Sequence, residues 1–363
     1  MERLSTHQFL VLSAAVLLGT TYLSVGSLIG EAGRDGWMII FPAFIWAVPF
    51  GLMILSLMAK YPGKDLIKIS ERVVGKGLSK GIGIIYIILV TYYGSLLAGL
   101  EVDIFNRTVL PLMPRFVFLL GGGFLTFYLF YSGIEVLGRF AEVVFPIVTV
   151  GLILMIIFII PRFEEGELFP ILANGIQPVL SSSGKIVHFS AEYILFLAGL
   201  LPFLPNKASD IKNLKQKLYI AVSIVIILNT LIVLIQILTF GPFETTRMSF
   251  GLLALGKMIE ISRTLSGVES IFNLFWLGGS TIKVASYFFA VMWAMKSVFG
   301  FKSRKWSFLL GFISYIIIQY VARGLEISTE LGFVGRYFLV PFTVLWVLMI
   351  WGVDKWKNRS QNG

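Results

Sequence analysis

Two charged residues, Glu192 and Lys283, fall inside long apolar stretches that are otherwise uncharged, 186–206 and 270–295. An ionised side chain in hydrocarbon costs several kcal/mol unless it is paired, hydrated or neutralised, so each is a functional candidate. Ser280, Lys283 and Tyr287 recur at i, i+3 and i+7, with Thr281 and Ser286 beside them. On a helix this makes a polar stripe, which faces protein or water and not lipid. With one acid and one base at membrane depth, direct or water-mediated pairing is the simplest arrangement, and either residue can exchange a proton. The plainer reading of Glu192 is a protonated carboxyl in an interhelical hydrogen bond.

The first apolar stretch, 8–30, carries Gly19-Thr20-Thr21 at its centre, followed by Ser24, Gly26 and Ser27. Glycine and β-branched or hydroxyl residues lower helix propensity, so a break is expected there that frees backbone N–H and C=O groups for a ligand. Tight helix packing through small residues is the competing explanation. In the sixth stretch Ser190, Ala191 and Tyr193 flank Glu192, with Gly199 and Pro202 beyond. In the third, Tyr86 and Tyr93 lie seven apart with Tyr92, Ser95 and Gly99 nearby; Tyr93 is a candidate for the wall of a pocket, and aromatic packing is the plainer reading of the tyrosines. Glu101 and Asp103 are expected at the water-accessible outer end of that helix, and Lys185 and His188 at an interface.

These side chains need a scaffold, and composition says which kind. Of 363 residues 57% are apolar, 15% aromatic and 14% charged, against roughly 25% charged in soluble domains. A globule of this size cannot cover itself with so few polar groups. A membrane-spanning helix needs about 20 apolar residues. Ten stretches qualify: 8–30, 36–59, 81–100, 116–134, 143–161, 186–206, 218–243, 270–295, 306–322 and 337–353. An eleventh uncharged run, 168–184, is rich in Pro, Gly, Asn and Ser and is expected to be a re-entrant or surface loop. The first stretch has no basic leader or cleavage signature and is expected to be a retained helix.

Ten spans put both termini on one side. With that side inside, the inner loops and tails carry 19 Lys+Arg against 7 Asp+Glu, and the outer loops 10 against 12. The net charge of +10 is therefore a topology signal, and no nucleic-acid partner is expected. The inner connection 61–80 has basic residues at four-residue spacing interleaved with Leu66, Ile67, Ile69, Val73 and Val74, which predicts an amphipathic helix on an anionic leaflet. The outer connection 250–265 has similar spacing. The two occupy equivalent positions if 1–161 and 162–363 are five-helix halves inserted in opposite senses, a transporter architecture.

Enzyme chemistry finds no support in the sequence. There is no cysteine, and His7 and His188 are the only histidines, which removes thiolate and histidine metal centres. The run GKGLSKG at 75–81 lacks phosphate-loop spacing, and neither H-E-x-x-H nor G-x-S-x-G occurs. No cofactor is expected.

Several segments resemble the B subunits of spore germination nutrient receptors, a branch of the amino acid–polyamine–organocation superfamily. GTTYL at 19–23 is similar to that family's G-T-G-I-L element, and GRDGWMIIFPA at 33–43 to its entry into helix 2. KYPGKDLIKISERVVGKGLSK at 60–80 resembles its inner loop, LFPILANGIQPVL at 168–180 its segment before helix 6, and FSAEYILFLAGLLPFL at 189–204 the superfamily's F-x-G-F/Y-E pattern. Thr21 stands in place of the second glycine of helix 1, and Ser190 and Ala191 depart from the helix 6 pattern.

The resemblance implies an all-α membrane protein of ten helices with a LeuT-like 5+5 inverted repeat. Helices 1 and 6 would be unwound around a central amino-acid-sized site. It also implies a complex with an A subunit and a C lipoprotein in the inner membrane of the spore, and a lysine on helix 8 that stands in for a sodium ion and links to helix 1. On this reading a small germinant, an amino acid by expectation, binds among Gly19, Thr20, Thr21, Ser24, Tyr93, Ser190, Ala191, Glu192, Tyr193, Ser280, Thr281 and Tyr287. Lys283 and Glu192 would supply ion or proton coupling, and binding would be signalled by a change of conformation. The alternatives are a proton-coupled amino acid permease using the same site, and a water or ion conduit.

Overall fold

The computed structural model describes residues 3–19, 26–104, 106, 112, 114–248, 250–259, 268–300, 309, 312–313, 316, 320 and 327–362. Among these, regular structure is entirely helical. Among the described residues seven helices are long and apolar enough to cross a membrane, and shorter apolar helices run over Thr6–Leu18 and Phe116–Ser132. Most of the predicted ninth span, 306–322, and residues 20–25 of the first lie outside the described residues.

Helix α1 spans Thr6–Leu18 and opens with a capping box in which the Ser5 hydroxyl accepts from the Gln8 N–H, and the Gln8 side chain accepts from the Ser5 N–H. It ends before Gly19, where the run of poor helix formers begins. Two 3₁₀ stretches, Gly26–Leu28 and Gly30–Ile39, lead to α2 (Ile40–Phe44) and α3 (Ala47–Lys60). Helix α4 (Leu66–Val74) precedes α5 (Lys76–Ile104), α6 (Arg115–Ser132) and α7 (Ile134–Ile159). The sixth span is built from α8 (Gln177–Ile186) and α9 (His188–Leu200), followed by α10 (Ala208–Arg247) and α11 (Gly251–Lys257). Helix α12 covers Val268–Phe299, and α13 (Ile327–Val334) passes through a π turn, Gly335–Leu339, into α14 (Val340–Asn362).

Helices α1, α9 and α12 form the middle of the bundle. Helix α1 packs on α7, α9, α10 and α12, while α12 also packs on α5, α6 and α7. Every residue of α9 is buried. The outer helices instead expose apolar rows, such as Phe116, Leu120 and Phe124 on α6 and Val143, Ile147, Val150, Leu154 and Ile157 on α7. Water would penalise such rows at about 25 cal/mol per Å², so they mark the surface that meets acyl chains.

Three expectations from sequence change. The run 168–184 is not a loop throughout: residues from Gln177 onward form α8, with Pro178 in the first turn, where its missing N–H costs nothing. The sixth span is interrupted only at Val187, which keeps helical angles of φ −59° and ψ −22°. This is a joint between two helices and is far shallower than an unwound segment. Helix α4 is amphipathic as expected, but its apolar residues Leu66, Ile67, Ile69 and Val73 are buried against α5 and α14. Its apolar face is covered by protein and not by the leaflet.

Candidate functional site

Lys283 and Glu192 meet at the centre of the bundle, with Nζ 2.6 Å from Oε2 and each side chain 1% exposed. The polar stripe on α12 faces inward, as its spacing requires. The Tyr93 hydroxyl on α5 donates to Glu192 Oε1, so three helices converge on one carboxyl group. Tyr287, one turn from Lys283, lies beside Tyr93, with its ring centroid 6.1 Å from that of Tyr93. The ammonium also stands 5.5 Å from the Phe189 ring centroid, within cation–π range.

Helix α1 touches this cluster through the absence of a side chain. A Cβ placed on Gly19 would lie 2.5 Å from Lys283 Cδ and 2.8 Å from Lys283 Cβ. Only hydrogen fits where the lysine stem crosses the end of α1. The end of α1 and the base on α12 are thus in direct contact. Thr20, Thr21 and Ser24, the other expected ligand-binding residues of the first span, lie outside the described residues.

His188 also belongs to the cluster. It is 3% exposed, and Nε2 lies 3.9 Å from Glu192 Oε1, which corrects its expected place at the interface. Its Nδ1 lies 3.0 Å from the Lys185 carbonyl oxygen. A carbonyl accepts only, so Nδ1 carries hydrogen, and Nε2 is the ring atom turned toward Glu192. The close approach depends on Gly335 at the start of the π turn, where an added Cβ would sit 2.8 Å from His188 Cδ2. The spacing of four between His188 and Glu192 was the available signal.

Other expected site residues point elsewhere. Ser190 Oγ donates to the Ala43 carbonyl at 2.7 Å, tying α9 to α2. Ser190 and Ala191 line an apolar groove with Trp46, Phe50 and Val340, away from the pair. Tyr193 donates to Ser13 Oγ at 3.0 Å, tying α9 to α1. Ser280 donates to the Leu277 carbonyl within its own helix, at 3.1 Å, and Thr281 Oγ1 is buried without a hydrogen-bond partner among the described residues. Glu101 is 6% exposed and enclosed by helices, which corrects its expected water-accessible position.

At the inner end, Asp65 caps α4 and binds it to α12. Its carboxylate accepts from Lys68 N–H at 2.8 Å, from Trp293 Nε1 at 3.0 Å and from Ser297 Oγ. Burial pushes this carboxyl above its ordinary range, and those hydrogen bonds oppose the shift without cancelling it. Among the described residues no group of three or more His, Cys, Asp or Glu side chains is placed to hold a metal ion.

The same arrangement of helices occurs in solved transporter structures. MhsT in complex with L-phenylalanine aligns with a TM-score of 0.70 over 96% of this chain and 89% of that one, at 13% identity. A Na+-coupled sialic acid symporter aligns at 0.68 over 94% and 78%, with 12% identity. The manganese transporter of Eremococcus coleocola aligns at 0.65 over 96% and 81%, with 16% identity. The fold is that of the LeuT-like transporters. In sequence the chain is 26% identical to spore germination protein KB of Bacillus subtilis strain 168 (99% of this chain, 96% of the relative), and 22% identical to its spore germination protein YndE (99% and 98%). The profile of the spore permease family, described as spore germination protein, matches residues 3–324. The chain is thus a multi-pass membrane protein that belongs to the spore germination protein family.

Proposed function

We propose that this chain is the nutrient-sensing subunit of a spore germination receptor in the spore inner membrane, and that it binds an amino acid at the Glu192–Lys283 pair. The observation that carries the reading is that pair, buried at 2.6 Å where α1 ends on the lysine stem. An amino acid brings an ammonium and a carboxylate of its own, so it can exchange partners with the pair without leaving a charge bare. The ammonium goes to Glu192 and Tyr93, and the carboxylate to Lys283, so that both members of the pair keep a partner of opposite charge. Because Lys283 crosses Gly19, the exchange shifts α12 against α1. A ligand that favours the shifted arrangement moves the population toward it. On this proposal 1–161 and 162–363 are the two inverted halves that move, and the A subunit and C lipoprotein receive the signal.

The test is germination of spores carrying Glu192→Gln or Lys283→Met, scored against the loop variant Lys76→Ala. The proposal expects germinant response to fall in the first two and to persist in the third. Equal, mild effects in all three would remove the reason for placing the site in the membrane.

A second reading, a proton-coupled amino acid permease, is favoured by the transporter fold. It predicts uptake of labelled amino acid into proteoliposomes driven by a pH gradient and lost in Lys283→Met, which a pure sensor would not display.

A further inference from the structure

Between α5, α6 and α12 lies a second cavity, of about 200 Å³, lined among others by Ala98, Glu101, Gly122, Phe118, Phe127 and Phe288. Among the described residues Glu101 is its one acidic side chain, and Glu101 Oε1 is buried without a hydrogen-bond partner. The Ser280 hydroxyl stands against the same carboxyl group. The remaining wall is hydrocarbon and aromatic ring, apart from Thr126.

We propose that this cavity is a binding site for a hydrophobic primary amine, distinct from the Glu192–Lys283 centre. The ammonium pairs with Glu101 and the tail lies among Phe118, Phe127 and Phe288. A carboxyl group held in such a wall is costly to ionise unless a cation stands beside it. A bare metal ion takes six or more oxygen ligands in the usual hard-cation sites, and a carboxylate with one neighbouring hydroxyl falls well short of that. An ammonium needs fewer partners, and its tail gains from burial against the rings, whose faces also attract the charge.

The route in is through the bilayer. Leu120 and Phe124 on the neighbouring face of α6 are exposed, and Gly121 and Gly122 have nothing within 4 Å of where a Cβ would stand. An amine that partitions into the membrane reaches the cavity between these residues.

The experiment measures phenethylamine and hexylamine binding to the purified full chain in nanodiscs by calorimetry and by shift of Tm. Empty nanodiscs, phenethyl alcohol and hexanol serve as controls. Saturable amine binding at least tenfold tighter than that of the matching alcohol is expected in the wild type. Glu101→Gln is expected to erase the difference, and Gly122→Phe to abolish binding by filling the cavity with the carboxylate intact. Each variant's unliganded Tm reports whether it has folded. Lys283→Met, which disables the central pair, is expected to retain amine binding. The proposal is overturned if amine and alcohol bind alike, if both Glu101→Gln and Gly122→Phe bind the amine as the wild type does, or if Lys283→Met loses it.

Discussion

Gly19 and Lys283 are in such close contact that the lysine stem occupies the space where any other residue at position 19 would place its Cβ. The Lys283 atoms concerned include Cβ, so the obstacle is not the free end of a flexible chain. Gly19→Ala therefore has to push α1 and α12 apart. Overpacking of this kind costs about 1–3 kcal/mol, and the expected result is a lower Tm together with loss of germinant response. An unchanged Tm would mean that the two helices do not meet as described.

Lys283→Met leaves the Glu192 carboxylate buried without its partner, a change that costs about 3–5 kcal/mol when the orphan stays charged. Pairing it with Glu192→Gln removes the orphan. The double variant is expected to be more stable than Lys283→Met alone, a coupling that a double-mutant cycle of thermal unfolding measures directly. Additive losses would show that the two residues do not interact.

Tyr93→Phe removes the hydroxyl that donates to Glu192 Oε1 and keeps the ring packed against Tyr287. Loss of one hydrogen bond to a charged group is worth about 1.5–3 kcal/mol. The expected effect is a germinant dose response moved to higher concentration, with no comparable shift for Tyr193→Phe, whose hydroxyl bonds to Ser13 instead.

Asp65 makes stability depend on pH from the inner end of the bundle. Its carboxyl is raised above the ordinary value of 3.8 in the folded chain, chiefly by burial. The folded state therefore holds this proton more tightly than the unfolded state. Its contribution is fully present below the unfolded pKa and is lost as pH rises through the folded one. Asp65→Asn keeps the helix cap and is expected to flatten Tm across that window. A profile of unchanged slope would remove Asp65 as the cause.

Depth in the membrane was legible in the sequence for Glu192 and Lys283, because each interrupts an apolar run that continues on both sides. For Glu101 and His188 it was not. A hydropathy stretch ends at the first charge it meets, so the third span was cut at residue 100, whereas the helix runs on to Ile104. His188 was placed at an interface because 168–184 is rich in Pro, Gly and Ser, yet α8 begins inside that run and carries the sixth span further out. The periodicity of 61–80 identified an apolar face, but periodicity does not say whether lipid or protein covers it. The inward turn of Glu192 follows from its pairing partner, and the outward turn of Ser190 and Ala191 follows from α9 having α2, α3 and α14 on its other side. Sequence spacing alone carries neither.

The central claim is that an amino acid is recognised by exchange with the Glu192–Lys283 pair. Its most direct test is protection of the purified chain against thermal unfolding across a panel of amino acids, in the wild type and in Glu192→Gln. A rise in Tm for a few amino acids, growing with their concentration and absent in Glu192→Gln, is the predicted result. Equal protection of wild type and Glu192→Gln by the same amino acids would contradict it.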